Sequence, residues 1–444
     1  MFVTNHIFHQ ILAVIPVNLQ DFMIGAACGW SSPIINSFKN SSGEFSLTEE
    51  DCSWIASLHY VGRATGCLMS AAILDRVGRI SLLSASSFLT LLIWASILLT
   101  KKVLLHYAIR FVFGLSVGIV DTAMPVYVAE NSSPNLRGIF FTIVNLFFFG
   151  GELFAFLLAT YTSYETVAVA LTVAAVVNLS SAFLFKEPAQ YLIMKGQEAT
   201  ARTHFQWFRG NTEKLTEEFD EMKTKLATVN VQFSWRMFVN RQFRIVAAIS
   251  TLTYLTGFPA LNALLAFALI PTATFSCNEL TVFVGVALLI GPFLSATIVE
   301  RYGRRTLFIG SMGICALANV ASASLHYCLA SAIPVPGLAW LLLVSVTVYS
   351  MVFAAIIFSL LSITRGELLP PELKAAGVSA SVILNSATGF LVTHIFLYIA
   401  DAFGMMMNFI FFALASLITL LYVYFYLPET RGMTLMEIQK LFDK

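Results

Sequence analysis

Charge is what this 444-residue chain has least of. Asp, Glu, Lys and Arg make up 11% of it, against 58% hydrophobic residues, and the mean hydropathy is +0.79. A soluble domain carries about a quarter charged residues, so this chain cannot cover itself with polar surface in water. Acidic and basic residues nearly cancel, at a net charge of +1, which gives no reason to expect nucleic acid as a partner, because a phosphate backbone needs a concentrated basic face. Cysteine is sparse: there are six, with Cys28, Cys67, Cys315 and Cys328 inside apolar runs and no metal-ligand spacing among them. Cys52 and Cys277 fall on one face of the membrane, where a disulfide and two free thiols are both open. The seven histidines are scattered, and no phosphate-cradling glycine loop is present. These absences argue against an enzyme, a bound metal and a cofactor. A cleavable signal is not expected either, since the chain enters an apolar run without a basic n-region or a small-residue cleavage site. The first helix is therefore expected to serve as its own insertion signal.

Long apolar runs are what the chain has instead. About 20 residues at 1.5 Å each span some 30 Å of hydrocarbon, and on that basis twelve spans are predicted: 10–33, 53–73, 80–100, 103–126, 138–160, 165–185, 245–269, 280–299, 306–328, 338–363, 375–399 and 405–427. The lipid bilayer is thus the first partner. The one long polar interval, 186–244, carries charge at helical spacing around Trp207, Phe208, Leu215, Phe219 and Met222 and reads as short surface helices. The organisation is a six-helix half (1–185), a linker (186–244), a second six-helix half (245–427) and a tail (428–444).

With both termini on one face, that face receives 21 of the 26 Lys and Arg residues, Arg365 among them. Lys39, Lys101 and Lys102 lie opposite, and Arg63 and Arg110 lie within spans. Positive charge marks the cytoplasmic side, so both termini are expected there. The sequon at Asn40 then falls in the first external loop as a candidate glycosylation site. Those at Asn131 and Asn178 read as chance matches.

A short charged string occurs twice. Asp75-Arg76-Val77-Gly78-Arg79 follows the second span, and Glu300-Arg301-Tyr302-Gly303-Arg304-Arg305 follows the eighth. Glu130 stands seven residues before Arg137, as Glu367 stands seven before Lys374, and Glu187-Pro188 after the sixth span has a counterpart in Pro428-Glu429 after the twelfth. An even number of spans per half makes this a parallel repeat, the relation between the halves of a major facilitator transporter.

On these strings the chain resembles the sugar porter family of the major facilitator superfamily, especially the facilitated trehalose and hexose transporters of insects. The matching pieces also include residues 25–33 (GAACGWSSP), 110–114 (RFVFG), 125–130 (PVYVAE), 366–370 (GELLP) and 428–432 (PETRG). The resemblance implies an all-α membrane protein of the major facilitator fold, with twelve transmembrane helices in two six-helix pseudo-repeats, at the plasma membrane and carrying a small polar solute, a sugar above all. It also implies that Arg76, Arg79, Glu130, Arg137 and Glu187, with their counterparts Glu300, Arg301, Arg304, Glu367, Lys374 and Glu429, form a gating network at the inner helix ends. The alternative is plain anchoring of helix ends, since exposed ion pairs contribute only about 0–1 kcal/mol.

The pocket departs from the resemblance. The glutamine of the fifth span is Asn145 here. Where the seventh span should read Gln-Gln-x-Ser-Gly-Ile-Asn, the chain has Thr253-Tyr254-Leu255-Thr256-Gly257-Phe258-Pro259. Ser362 stands where the tenth span should place a stacking tryptophan, and Asn385-Ser386 replaces an Asn-Trp pair. Each missing partner leaves a sugar hydroxyl unsatisfied at about 1–3 kcal/mol. The candidate solute contacts are Asn145, Thr253, Tyr254, Ser362 and Asn385, with helix packing as the alternative for the small residues. Pro259 beside Gly257 permits a broken seventh helix.

Charges inside spans form the other departure, because they are costly in lipid and pair or line cavities. Arg63 lies about 18 Å and Asp121 about 13 Å from the inner ends of their helices, so the two are expected to meet, with His59 one turn from Arg63. Glu152 of the fifth span is expected toward Arg110 of the fourth. Three functions stay open: facilitated diffusion of a sugar or polyol, proton-coupled carriage of another small solute through these charges, and a sensor that does not transport. The aspartate of proton-coupled relatives is Ala27 here, and Asp21 is the nearest carboxylate, which favours facilitated diffusion. Oligomeric state is not legible.

Overall fold

The computed structural model describes residues 2–39, 47–99, 102–209, 213–228, 240–369, 374–431, 433, 437–438 and 441–442. The first half is six long helices: α1 (Phe2–Lys39), α2 (Glu49–Val77), α3 (Arg79–Leu99), α4 (Val103–Asn131), α5 (Pro134–Tyr161) and α6 (Tyr164–Ser181). The linker folds as α7 (Ala189–Met194), α8 (Glu198–Arg209) and α9 (Glu213–Thr228). The second half comprises α10 (Arg241–Leu255), α11 (Phe258–Ala268), α12 (Cys277–Arg301), α13 (Arg304–Ala330), α14 (Leu338–Val352), α15 (Phe358–Leu368), α16 (Lys374–Phe403) and α17 (Met405–Tyr426).

Twelve crossings result once two broken ones are joined. The seventh is α10 and α11, interrupted where Gly257 takes a φ of +104°, a left-handed value that a side chain would strain, with Pro259 just inside the second segment. The tenth is α14 and α15 joined by a π-helical turn at Phe353–Ile357, so this crossing loosens its helix without the glycine and proline expected of the family. Eleven helices, among the described residues, are long and apolar enough to span a membrane by themselves. The exception is α2, whose Ser53, Ser57, His59 and Arg63 lower its hydropathy; it is sheltered between α4 and, from the other half, α16. Most helices outrun the predicted spans, as α1 does at 2–39 against 10–33, because capping and amphipathic ends continue beyond the hydrocarbon. Thr48 and Asp51 form such a cap on α2 (3.1 and 3.0 Å), and Ser276 and Glu279 repeat it on α12 (3.3 and 2.7 Å).

Within the first half, helices meet at glycine. A Cβ on Gly29 of α1 would lie 2.5 Å from the Glu152 carbonyl oxygen of α5, so only glycine permits that approach. A buried polar cluster holds the rest: Gln20 Nε2 donates to Ser86 Oγ (2.8 Å), while Ser87 Oγ (2.8 Å) and Asn178 Nδ2 (2.5 Å) donate to Gln20 Oε1, tying α1, α3 and α6 together. The linker docks beneath this half. His9 stacks on Trp207 at 4.3 Å, and Gln10 bridges the Phe208 carbonyl and the Ser133 amide (both 3.0 Å).

Candidate functional site

Two groups of charged residues organise the molecule, one at the face carrying the termini and one at mid-membrane. At the terminal face the repeat appears as duplicated geometry. Arg79 donates to Glu130 through Nε (3.1 Å) and Nη2 (2.9 Å) and pairs with Asp75 at 3.1 Å. Both members of the Arg79–Glu130 pair are largely buried, with side chains 5% and 9% exposed. In the second half Arg304 approaches Glu367 at 3.8 Å, and Thr430 Oγ1 donates to Glu367 at 2.6 Å. Glu187 accepts from the amide of Ile80 (3.2 Å), at the start of α3, and Glu429 accepts from the amides of Arg304 (2.8 Å) and Arg305 (3.2 Å), at the start of α13. A carboxylate at a helix N-terminus meets free amides and the positive end of the helix dipole. Burial pushes the Glu187 carboxyl above its usual range, against the pull of the Ile80 amide and Arg79. Arg76 and Arg301 are exposed. The side chains of Arg137, Glu300 and Lys374 lie outside the described residues, as does Asn40. The described ion pairs of this network join helices within one half.

At mid-membrane Arg63 Nε donates to Asp121 Oδ2 at 2.6 Å across α2 and α4, and Arg63 Nη1 donates to the Tyr254 hydroxyl (3.2 Å) of the other half. Asn385 is fully buried; with its amide assigned to the orientation that satisfies its neighbours, its oxygen accepts from Arg365 Nη2 (2.5 Å) and its nitrogen donates to the carbonyls of Ser250 (3.1 Å) and Ser381 (3.2 Å). Arg365 has Tyr254, Arg63, Asp121 and Cys67 as its electrostatic neighbours. It was expected in the loop at the terminal face; instead it lies on α15, which continues to Leu368, and its guanidinium reaches Asn385 of α16. The signal available in sequence was its place two residues before Glu367, directly ahead of the matched string 366–370.

Of the other candidates, Asn145 is half-buried on α5 and Ser362 is exposed on α15, its Oγ only 3.5 Å from the Phe358 carbonyl. Thr253 is enclosed and its hydroxyl has no partner. His59 packs beside Tyr60 (ring centroids 3.9 Å) with Nδ1 unpartnered. Glu152 does not pair with Arg110. Its Oε1 accepts from Asn262 (2.6 Å) of α11, whereas Arg110 donates to the Ala27 carbonyl (3.1 Å) and Ser31 of α1 and lies over the Trp30 ring. Proximity along neighbouring helices did not decide that partnership; the facing residues did. Cys52 and Cys277 are both free thiols, Cys52 buried and Cys277 directed at the Leu269 carbonyl.

The halves also touch on the face opposite the termini. Ser32 Oγ accepts from the Ala266 amide (2.7 Å), and Asn278 is joined to Asn36 (2.8 Å) and Ser37 (3.0 Å). Described hydrogen bonds between the halves lie on that side or at mid-membrane, so this arrangement is closed opposite the termini.

The family model described as "Sugar (and other) transporter" matches residues 18–442. The chain belongs to that sugar transporter family. It is similar to the facilitated trehalose transporter Tret1 of Polypedilum vanderplanki, 25% identical over 446 residues covering 98% of this chain and 88% of the relative. The Tret1 protein of Apis mellifera ligustica is also 25% identical, over 445 residues and the same shares. Among solved structures it resembles the inward-open xylose transporter XylE of E. coli, with a TM-score of 0.80 at 17% identity over 97% of this chain and 99% of that one. The proton:xylose symporter XylE bound to 6-bromo-6-deoxy-D-glucose gives 0.79 at 17% identity, covering 98% and 99%. These likenesses show the major facilitator fold. Membership of a transporter family, with no enzyme among these relatives, agrees with the absence of a catalytic constellation in the sequence.

Proposed function

We propose that this sugar transporter family member moves a small polyhydroxylated solute, of the sugar or polyol class, down its gradient by alternating access at the plasma membrane, with both termini cytoplasmic. The doubled clamp carries the reading. Arg79 with Glu130 and Glu187, and Arg304 with Glu367 and Glu429, place the same charged joint under each half, which suits two rigid bodies rocking about a central cavity. Arg76, Arg137, Glu300, Arg301 and Lys374 extend that gate, and Asn145, Tyr254 and Asn385 face the solute. The curated relatives are facilitated trehalose transporters by name, which supports the same class and the uncoupled mode. Tracer counterflow in proteoliposomes, with trehalose, D-glucose, sorbitol and D-glucuronate as probes, tests it. Counterflow insensitive to protonophore is the expected result; absence of counterflow for all probes overturns it.

A second reading, proton-coupled carriage, is favoured by one observation. Glu152 is fully enclosed at the seam between halves, one oxygen on Asn262 and the other without a partner. Accumulation above equilibrium driven by a pH gradient, and abolished in Glu152→Gln, marks that mechanism.

A further inference from the structure

Charge at the centre of the bundle is met on one side only. Arg63 has Asp121 as its counter-ion at 2.6 Å. Arg365 has none among the described ion pairs: its Nη2 reaches the Asn385 oxygen, and its Nε is buried without a partner. Asp21 on α1 lies within the field of Asp121 but forms no described ion pair with either arginine. A guanidinium offers five N–H donors in a planar fork that fits a carboxylate with two parallel hydrogen bonds. One amide oxygen occupies one donor and brings no negative charge. Cations inside spanning segments are costly and are ordinarily compensated by a partner or a cavity. This one lies on α15, within the fields of Tyr254 and of the Arg63–Asp121 pair.

We propose that the solute bears a carboxylate and that Arg365 is the residue that holds it. The inference rests on the transport reading above and narrows its solute class to a sugar acid. Asn385 orients the guanidinium from below, and Tyr254 and Asn145 are left for hydroxyls. Loss of the family's amides at Thr253, Tyr254 and Pro259 follows the same logic, because binding a monoanion depends less on amide partners for each neutral hydroxyl. A phosphate dianion suits Arg365 less, since the Asp121 charge acts on the same group.

Binding of D-glucuronate, its methyl ester, D-glucose and D-glucose 6-phosphate to the purified full-length protein, read by titration calorimetry, tests the proposal. D-Glucuronate is expected to bind at least tenfold tighter than its ester or D-glucose. That comparison changes only the ligand, so it holds whether or not any variant folds. Arg365→Gln should reduce the acid-to-ester preference at least tenfold, and Arg365→Lys should keep the preference at lower affinity. Equal binding of acid and ester, tighter binding of D-glucose or of D-glucose 6-phosphate, or no binding of D-glucuronate overturns the proposal. The two readings fail separately. A protein that exchanges D-glucose in counterflow but ignores D-glucuronate keeps transport and loses the carboxylate. One that binds D-glucuronate through Arg365 yet exchanges no solute keeps the anion site and loses transport.

Discussion

Replacing Gly29 by alanine tests how the closure opposite the termini is built. The new methyl carbon would stand 2.5 Å from the Glu152 carbonyl oxygen, where ordinary contact begins at 3.4 Å, so α1 and α5 must part locally by about 0.9 Å. The obstacle is backbone and cannot rotate aside. Overpacking of this kind costs about 1–3 kcal/mol, and at about 2 kcal/mol a unit the size of one half loses roughly 4–8 °C of melting temperature. The same strain reaches the seam between halves, because Ser32 is one turn along α1 and Glu152 itself holds Asn262. Gly29→Ala is therefore expected both to melt earlier in detergent and to raise labelling of a single cysteine placed on the face opposite the termini. Gly310→Ala is the control, since a Cβ there meets nothing within 4 Å. Equal melting of the two variants would refute the close-approach argument. Earlier melting without added labelling would refute the link to closure.

Three other expectations follow from particular contacts. Arg63→Met or Asp121→Leu alone strands a partner of the 2.6 Å pair and is expected to destabilise by about 3–5 kcal/mol, while the two together should recover most of that; a thermodynamic cycle showing simple additivity would remove the pair from the account. Glu367→Gln weakens the acceptor of Thr430 and Arg304 and is expected to raise thiol labelling at the terminal face, and unchanged labelling would return the network to helix anchoring. If the opposite face is extracellular, Asn40→Gln should abolish a glycosidase-sensitive mobility shift in protein from eukaryotic cells; a wild-type protein without that shift would count against the glycan.

The all-helical membrane fold was legible from hydropathy, because lipid demands an apolar run of set length wherever a helix crosses, and eleven of the described helices meet that demand. The break at Gly257 was legible for a similar reason, since few residues but glycine take its φ. The π-turn at Phe353–Ile357 was not, as no glycine or proline marks it and packing around a long apolar helix decides it.

At the candidate site the division is sharper. That α2 packs on α4 came from the structure, but sequence alone allowed Arg63 and Asp121 to meet, because they lie about 18 and 13 Å from the inner ends of their helices. It misdirected Glu152 toward Arg110 and left Arg365 in a loop. Depth along a helix is one coordinate, whereas a partner is chosen by which face of a tilted helix a side chain leaves and how far it reaches. Glu152 faces Asn262 of the other half, and Arg365 reaches back from the end of α15 to Asn385. Composition and repeat determined by themselves that this is a two-fold-repeated membrane protein. Only the tertiary structure showed that Arg365 has no partner among the described ion pairs and reaches Asn385 instead, because that depends on which side chains of α15 and α16 meet.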